Sequence, residues 1–226
     1  MTVIACIAAL LTVALSFVDG DILAAVRASQ APLRTFMVDW TDLVRSQWYL
    51  VPAGLLILIA GAVDWGEPDS GARRVWAHLY AQSFFVFVAV GGALLTTNLF
   101  KIIIGRARPV LFDSVGYLHL QPLTLAYDYA SFPSGHSTTA AALTVILMTW
   151  LPRFRSLFLA AGLFMAATRV AAEAHYPSDT VGGFTVGFLF TLTLARYLAA
   201  RGIAFRTDSR HLFPVPTFRS APTQMV

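Results

Sequence analysis

Six apolar runs divide the chain, at roughly residues 2–20, 48–64, 78–101, 136–151, 155–173 and 180–200. A helix needs about 20 mostly apolar residues to cross the hydrocarbon core of a bilayer. The pattern therefore predicts an all-α protein with six membrane-spanning helices, although the first, fourth and fifth runs are short or marginal. Between the first two runs, residues 22–47 set Arg27, Arg34, Arg45, Asp39 and Asp42 among Leu23, Val26, Leu33, Phe36 and Trp40. That mixture predicts an amphipathic helix lying in the interface, or else an ordinary connector. Residues 64–74, with Pro68, Asp69, Arg73 and Arg74, read as a polar loop. The first run has no basic leader and no small-x-small cleavage site, so it reads as a retained helix and not a removed signal peptide.

Composition strengthens the membrane reading. Of 226 residues, 57% are hydrophobic and 12% charged, whereas a soluble domain carries about 25% charged residues. The length suits one bundle over residues 1–201. A tail over 202–226 holds Arg206, Arg210, His211, Pro214, Pro216, Arg219 and Pro222, and is expected to be a loosely ordered cytoplasmic end. Cys6 is the only cysteine, so neither an intrachain disulfide nor a cysteine-based metal site can be built. The net charge of +4 is scattered and forms no dense run, which argues against a nucleic-acid partner and for basic loops at a membrane surface. Six helices would put both termini on one side, with Arg73, Arg74, Arg153, Arg155, Arg196, Arg201, Arg206, Arg210 and Arg219. The opposite side would carry Arg27, Arg34, Arg45 and Arg106 besides the cations of the candidate site. The excess of positive charge predicts cytoplasmic termini and a site on the outer face.

Three polar clusters interrupt this apolar background. Lys101 and Arg108 lie seven residues apart, nearly two helical turns, so both are expected to project from one helical face, and Pro109 ends the helix just beyond them. Lysine offers a point charge and arginine a planar fork suited to phosphate oxygens. Lys101 is the only lysine in the chain, which sets it apart from the arginines that would serve for simple snorkelling. Pro133-Ser134-Gly135-His136 precedes the fourth apolar run. Its helix start offers free N–H groups to an anion, so Ser134 and the Gly135 amide could hold phosphate oxygens beside His136. Arg169, His175 and Asp179 span the turn before the sixth run, where Pro177 blocks a continuous helix. Asp179 could accept a hydrogen bond from Nδ1–H of His175 and leave Nε2 free as a nucleophile. All three clusters fall on the same expected membrane face. Arg106 lies outside these spacings, and its replacement is expected to cost little. His78, His119 and His211 are assigned no chemistry. Gly183 and Gly187 read as a close helix-packing pair. Segment 110–132, with Tyr117, His119, Gln121, Tyr127, Asp128 and Tyr129, could form a lid or recognise a headgroup, or simply belong to the interfacial aromatic belt.

With Lys-x6-Arg-Pro, Pro-Ser-Gly-His and Arg-x5-His-x3-Asp all met, the chain resembles the type 2 phosphatidic acid phosphatase (PAP2) superfamily over roughly residues 78–200. Thr168 stands where that family usually has serine, and it keeps the hydroxyl. The resemblance implies a lipid phosphate or pyrophosphate phosphatase working through a phosphohistidine. His175 is then the nucleophile, Asp179 its orienting partner and His136 the acid and later the base. Lys101, Arg108, Ser134, Gly135 and Arg169 bind the phosphate. It implies no metal and no other cofactor, a membrane lipid as partner, and a bacterial inner membrane as location. Lipid A 1-phosphate, undecaprenyl pyrophosphate, phosphatidylglycerol phosphate and phosphatidic acid all fit, as would a phosphotransferase passing the group to a hydroxyl. A transporter or scaffold with a polar path is the non-enzymatic alternative. Haloperoxidases that share the pattern are soluble, unlike this chain.

Overall fold

The computed structural model describes residues 1–66, 70–206 and 212–217. Pro68 and Asp69 of the polar loop, and Arg210, His211, Arg219 and Pro222 of the tail, lie outside the described residues. The helices are α1 (Thr2–Ser16), α2 (Asp19–Ala28), α3 (Pro32–Trp40), α4 (Gln47–Ala62), α5 (Gly71–Ile104), α6 (Phe112–Val115), α7 (Gly135–Trp150), α8 (Arg155–Ala171) and α9 (Pro177–Ala200). A short antiparallel pair, β1 (Phe205–Arg206) and β2 (Val215–Pro216), closes the described chain.

Each of the six apolar runs is helical. Four stretches are long and apolar enough to cross a membrane: Pro32–Ala62, Gly71–Ile104, Pro152–Ala171 and Pro177–Ala200. A fifth is added if α1 and α2, bent by 63°, count as one. The run that falls short is α7, with 16 residues, against the roughly 20 a span needs. It is also the most enclosed helix, packed between α5, α8 and α9 and buried along most of its length. By contrast, α1 exposes Val3, Ile7, Leu10 and Val13, an apolar surface suited to lipid and costly in water. The protein is thus mostly helical and multi-pass.

The expected helix over 22–47 is two helices and a 3-10 turn (Thr41–Val44), broken where Ser29 turns extended and Pro32 opens α3. Proline lacks the N–H that a continuing helix would need, but suits a helix start. The described part of the tail is anchored. Phe205 is buried edge-on against Phe85, ring centroids 4.7 Å apart, and Phe213 is buried against Phe188.

One packing contact positions the polar face. A Cβ on Gly183 would fall 2.2 Å from the Ser134 carbonyl oxygen, and one on Gly187 would fall 2.1 Å from that of Thr138. Only glycine lets α9 come this close to α7. The N-terminal ends of both helices therefore lie side by side, with Ser134 N donating to Asp179 O at 2.9 Å. On the other flank of α7, the Thr97 and Thr138 hydroxyls meet at 2.9 Å and fix α5.

Candidate active site

Gly105 ends α5 in the left-handed conformation (φ 60°), where a Cβ would overlap the Gln121 carbonyl at 1.7 Å. The chain then runs extended into Pro109, as the residue before proline prefers. Lys101 is on the helix and Arg108 is beyond it, so a shared helical face is not what joins them. They converge on one acceptor instead: Lys101 Nζ and Arg108 Nη2 (3.2 Å) both donate to Ala130 O. Arg108 also donates from Nε to Tyr127 O (3.0 Å) and from Nη1 to Ala174 O (3.4 Å), and it lies over the Tyr127 ring at 4.1 Å. Segment 110–132 thus seats the arginine that the first cluster supplies.

Ser134 caps α7. Its Oγ accepts from Ser137 N (3.4 Å) and Ser137 Oγ (3.1 Å), which leaves its own proton to donate. At Gly135 a Cβ would meet only Leu94, at 3.7 Å. Packing does not demand glycine there, and its absent side chain leaves the first-turn amides open to an anion. His136 follows in the first turn of α7, half-buried.

At the end of α8, Arg169 donates from Nη1 to Thr41 Oγ1 at 2.9 Å, while its buried Nε has no hydrogen-bond partner. Thr168 is fully buried and shares Thr41, donating to that hydroxyl at 3.0 Å. The Arg169 carbonyl accepts from Ala174 N and His175 N, folding the turn back on itself. Pro177 then opens α9, as its fixed φ and missing N–H require.

His175 is 3% exposed. Its Nδ1 lies 3.6 Å from Asp179 Oδ2, which is within ionic reach but too long for a hydrogen bond. Burial lowers the His175 pKa, and Lys101 and Arg108 lower it further. Asp179 acts in the opposite direction without prevailing, so the ring is neutral. Asp179 accepts three hydrogen bonds of its own. Oδ1 accepts from Arg106 Nη1 (2.7 Å), and Oδ2 accepts from Ser131 Oγ (2.6 Å) and Tyr176 N (2.9 Å). The last of these is a helix cap, so one carboxylate both starts α9 and faces the histidine.

Arg106, whose replacement is expected to cost little, is built into the site. It is 5% exposed and forms salt bridges to Asp179 (2.7 Å) and Asp19 (2.8 Å), with its guanidinium 4.5 Å from the Tyr176 ring centroid. Burial alone would lower its pKa, but the two carboxylates outweigh that and raise it. Asp19, fully buried at the start of α2, also accepts from Ser178 N (3.0 Å) and the Ser178 hydroxyl. Sequence reading passed over Asp19, Thr41, Ser131 and Arg106. A carboxylate at the end of an apolar run was the one available sign, since such groups are costly there unless paired.

A sequence model of the PAP2 superfamily matches residues 82–203, a stretch that holds all three clusters. The chain is 38% identical over 177 residues to a lipid A 1-phosphatase of Rhizobium etli, covering 75% of this chain and 75% of that protein. It is 34% identical over 164 residues to a lipid A 1-phosphatase of Rhizobium johnstonii, covering 71% of this chain and 66% of that protein. Its fold matches the transmembrane PAP2 type phosphatidylglycerolphosphate phosphatase from Bacillus subtilis with a TM-score of 0.56 and 23% identity, over 84% of this chain and 93% of that one. That last likeness is one of fold. With the family's sequence running over more than half its length, its clusters gathered at one end of the bundle and such relatives beside it, the chain belongs to the PAP2 superfamily and is a membrane lipid phosphatase.

Proposed function

We propose that the protein hydrolyses the 1-phosphate of lipid A through a phosphohistidine. The observation that carries the phosphoryl chemistry is a buried histidine facing Asp179, at an end of the bundle where Lys101, Arg108 and Arg169 form no salt bridge among the described residues. The choice of lipid rests on the two Rhizobium relatives.

Lys101, Arg108 and Arg169, with Ser134 and the Gly135 amide, hold the phosphate and the charge that builds on it. Donors fixed in advance need no rearrangement as the reaction proceeds. His175 Nε2 attacks phosphorus, the bond from phosphorus to the sugar oxygen breaks, and His136 gives that oxygen a proton. Water then attacks the phosphohistidine and yields its proton to His136. The phosphorus–nitrogen bond breaks and inorganic phosphate leaves. Asp179 steadies the cationic ring of the intermediate, and the 3.6 Å contact shortens as that charge appears. Arg106 and Asp19 act through Asp179 as positioning residues. The cations take the part a metal would otherwise play, so turnover is expected to continue in EDTA.

The bundle is proposed to cross a bacterial inner membrane six times, with α7 as a short span shielded by its neighbours. The termini are cytoplasmic and the site faces outward, following the arginine excess. Residues 1–201 form the catalytic domain and 202–226 the cytoplasmic tail.

The experiment is phosphate release by the purified protein from lipid A, undecaprenyl pyrophosphate, phosphatidylglycerol phosphate and phosphatidic acid, with and without EDTA. The expected result is preferred loss of the lipid A 1-phosphate, unchanged by chelation. Preference for another lipid would overturn the substrate, and strict need for a divalent ion would overturn the mechanism.

A further inference from the structure

Between α1, α3, α8 and α9 runs a groove of about 730 Å³, within the range of about 300–1,000 Å³ that small-molecule sites occupy. Its wall is almost wholly hydrocarbon, and Arg34 is the one charged residue among those that line it. Thr180 and Thr185 also line it, but their hydroxyls donate to Pro177 O (2.7 Å) and Val181 O (2.8 Å) on their own helix. Both hydroxyl protons are thereby taken up within α9, and the Oγ of Ser29, also in the lining, accepts from Ala31 N at 3.3 Å.

The length of the groove is informative. On α1 it follows one stripe from Ile4 to Leu15, and on α9 it follows Pro177 to Leu189. At about 1.5 Å per residue these stripes are about 16–18 Å long. A hydrocarbon core is about 30 Å thick, so the groove is one leaflet deep. Helix directions fix which end is which. Leu15, Ala171 and Pro177 lie at one end, and Ile4, Leu159 and Leu189 at the other. The first end abuts the turn that carries His175, with Ala171 two residues from Arg169 and Thr180 next to Asp179. Arg34 is held at that same end, donating to Ala171 O at 3.2 Å and pairing with Glu173. A cation at the head level and hydrocarbon below it is the profile of a lipid molecule.

We propose that this groove receives an acyl chain of the lipid whose phosphate occupies the site. The inference rests on the lipid-phosphatase reading and adds where the tail lies: against α1, α8 and α9. Small residues, Ala8, Ala166 and Ala167 among them, keep the slot open along its length. Bulk placed there shortens the space available to a chain, and the loss depends on depth.

The test uses the full-length protein in detergent micelles and lipid phosphates with one headgroup and butanoyl, octanoyl or tetradecanoyl chains. Ala167→Trp narrows the groove near its head end and Leu159→Trp near its far end. Ala167→Trp is expected to lower kcat/KM for the tetradecanoyl substrate by about tenfold or more, and to leave the butanoyl substrate unchanged. Leu159→Trp is expected to affect the tetradecanoyl substrate and spare the octanoyl one. Equal losses on all chain lengths, or no loss on any, would overturn the groove as the tail site. Phosphate release by the unaltered protein is read separately. If it releases none from any chain length, the phosphatase reading itself fails.

Discussion

On the Arg106 side of the site every charge touches an opposite charge. Asp19 and Asp179 both hold Arg106, and serine and backbone donors take their remaining oxygens. On the Lys101 side the cations meet, among the described residues, only neutral acceptors: Ala130 O for Lys101 and Arg108, and Thr41 Oγ1 for Arg169, whose Nε has no partner there. Arg106 and Arg108 are two residues apart, yet they belong to opposite sides. Lys101, Arg108 and Arg169 are half-buried and lose part of their hydration without a salt-bridge partner to offset it, so such a cluster is a poor way to stabilise a fold and a good way to receive an anion. The compensated side does the reverse: it fixes Asp179, and through it the start of α9, and leaves no charge for a ligand.

The largest expected effect breaks the chemistry without touching either side. His175→Ala should lower kcat by about a million-fold, as removal of a nucleophile does, measured as phosphate release at saturating substrate. Next, Lys101→Ala or Arg169→Ala should cost about 10²–10³ in kcat while the melting temperature stays near that of the parent. Arg106→Ala should differ by lowering stability together with rate. It strands Asp19 and Asp179 without their counter-ion, and chemical denaturation should register a loss of about 3–5 kcal/mol. Arg106→Lys should recover part of both stability and rate, since it restores the charge but not the fork.

A smaller effect concerns pH. Burial lowers the pKa of His175, so more acid is needed to protonate it than to protonate a free histidine. The attacking form therefore survives as pH falls through about 6.5, the ordinary histidine value. The acid-side fall in kcat/KM due to this group should lie below that value, and a fall centred at or above it would contradict a neutral, buried nucleophile. The smallest effect is that of Thr168→Ser, which keeps the hydroxyl that meets Thr41. Rate should hold, and stability should drop by about 1 kcal/mol for the buried methyl removed.

The apolar runs were readable because a bilayer demands unbroken hydrocarbon, and the helices fall where those runs lie. The eight candidate residues were readable because local spacing carries them: a helix end before proline, a capped helix start, and a turn blocked by Pro177. Arg106 was not readable. In sequence it is one more loop arginine, and its partner Asp19 is 87 positions away, where no local pattern links them. Thr41 was hidden for the same reason, since it reaches Arg169 across 128 positions. The meeting of Lys101 and Arg108 was foreseen, but the expected cause was a shared helical face. The acting cause is a common carbonyl, Ala130 O, in a loop whose path no local pattern reveals. The break at Pro32 is one that a proline can signal, but the reading of residues 22–47 as one helix did not use it. Span number is harder, because α7 is hydrophobic and central yet short.

The contrast between the two arginines is most directly tested by inhibition with inorganic phosphate, measured beside thermal unfolding, for Arg108→Ala and Arg106→Ala. The expected result is that Arg108→Ala weakens phosphate inhibition at least tenfold, the equivalent of about 1.4 kcal/mol, with little change in melting temperature. Arg106→Ala is expected to lower the melting temperature more than it weakens inhibition. Full phosphate affinity in Arg108→Ala, or an unchanged melting temperature in Arg106→Ala, would contradict the division between a side that binds and a side that holds.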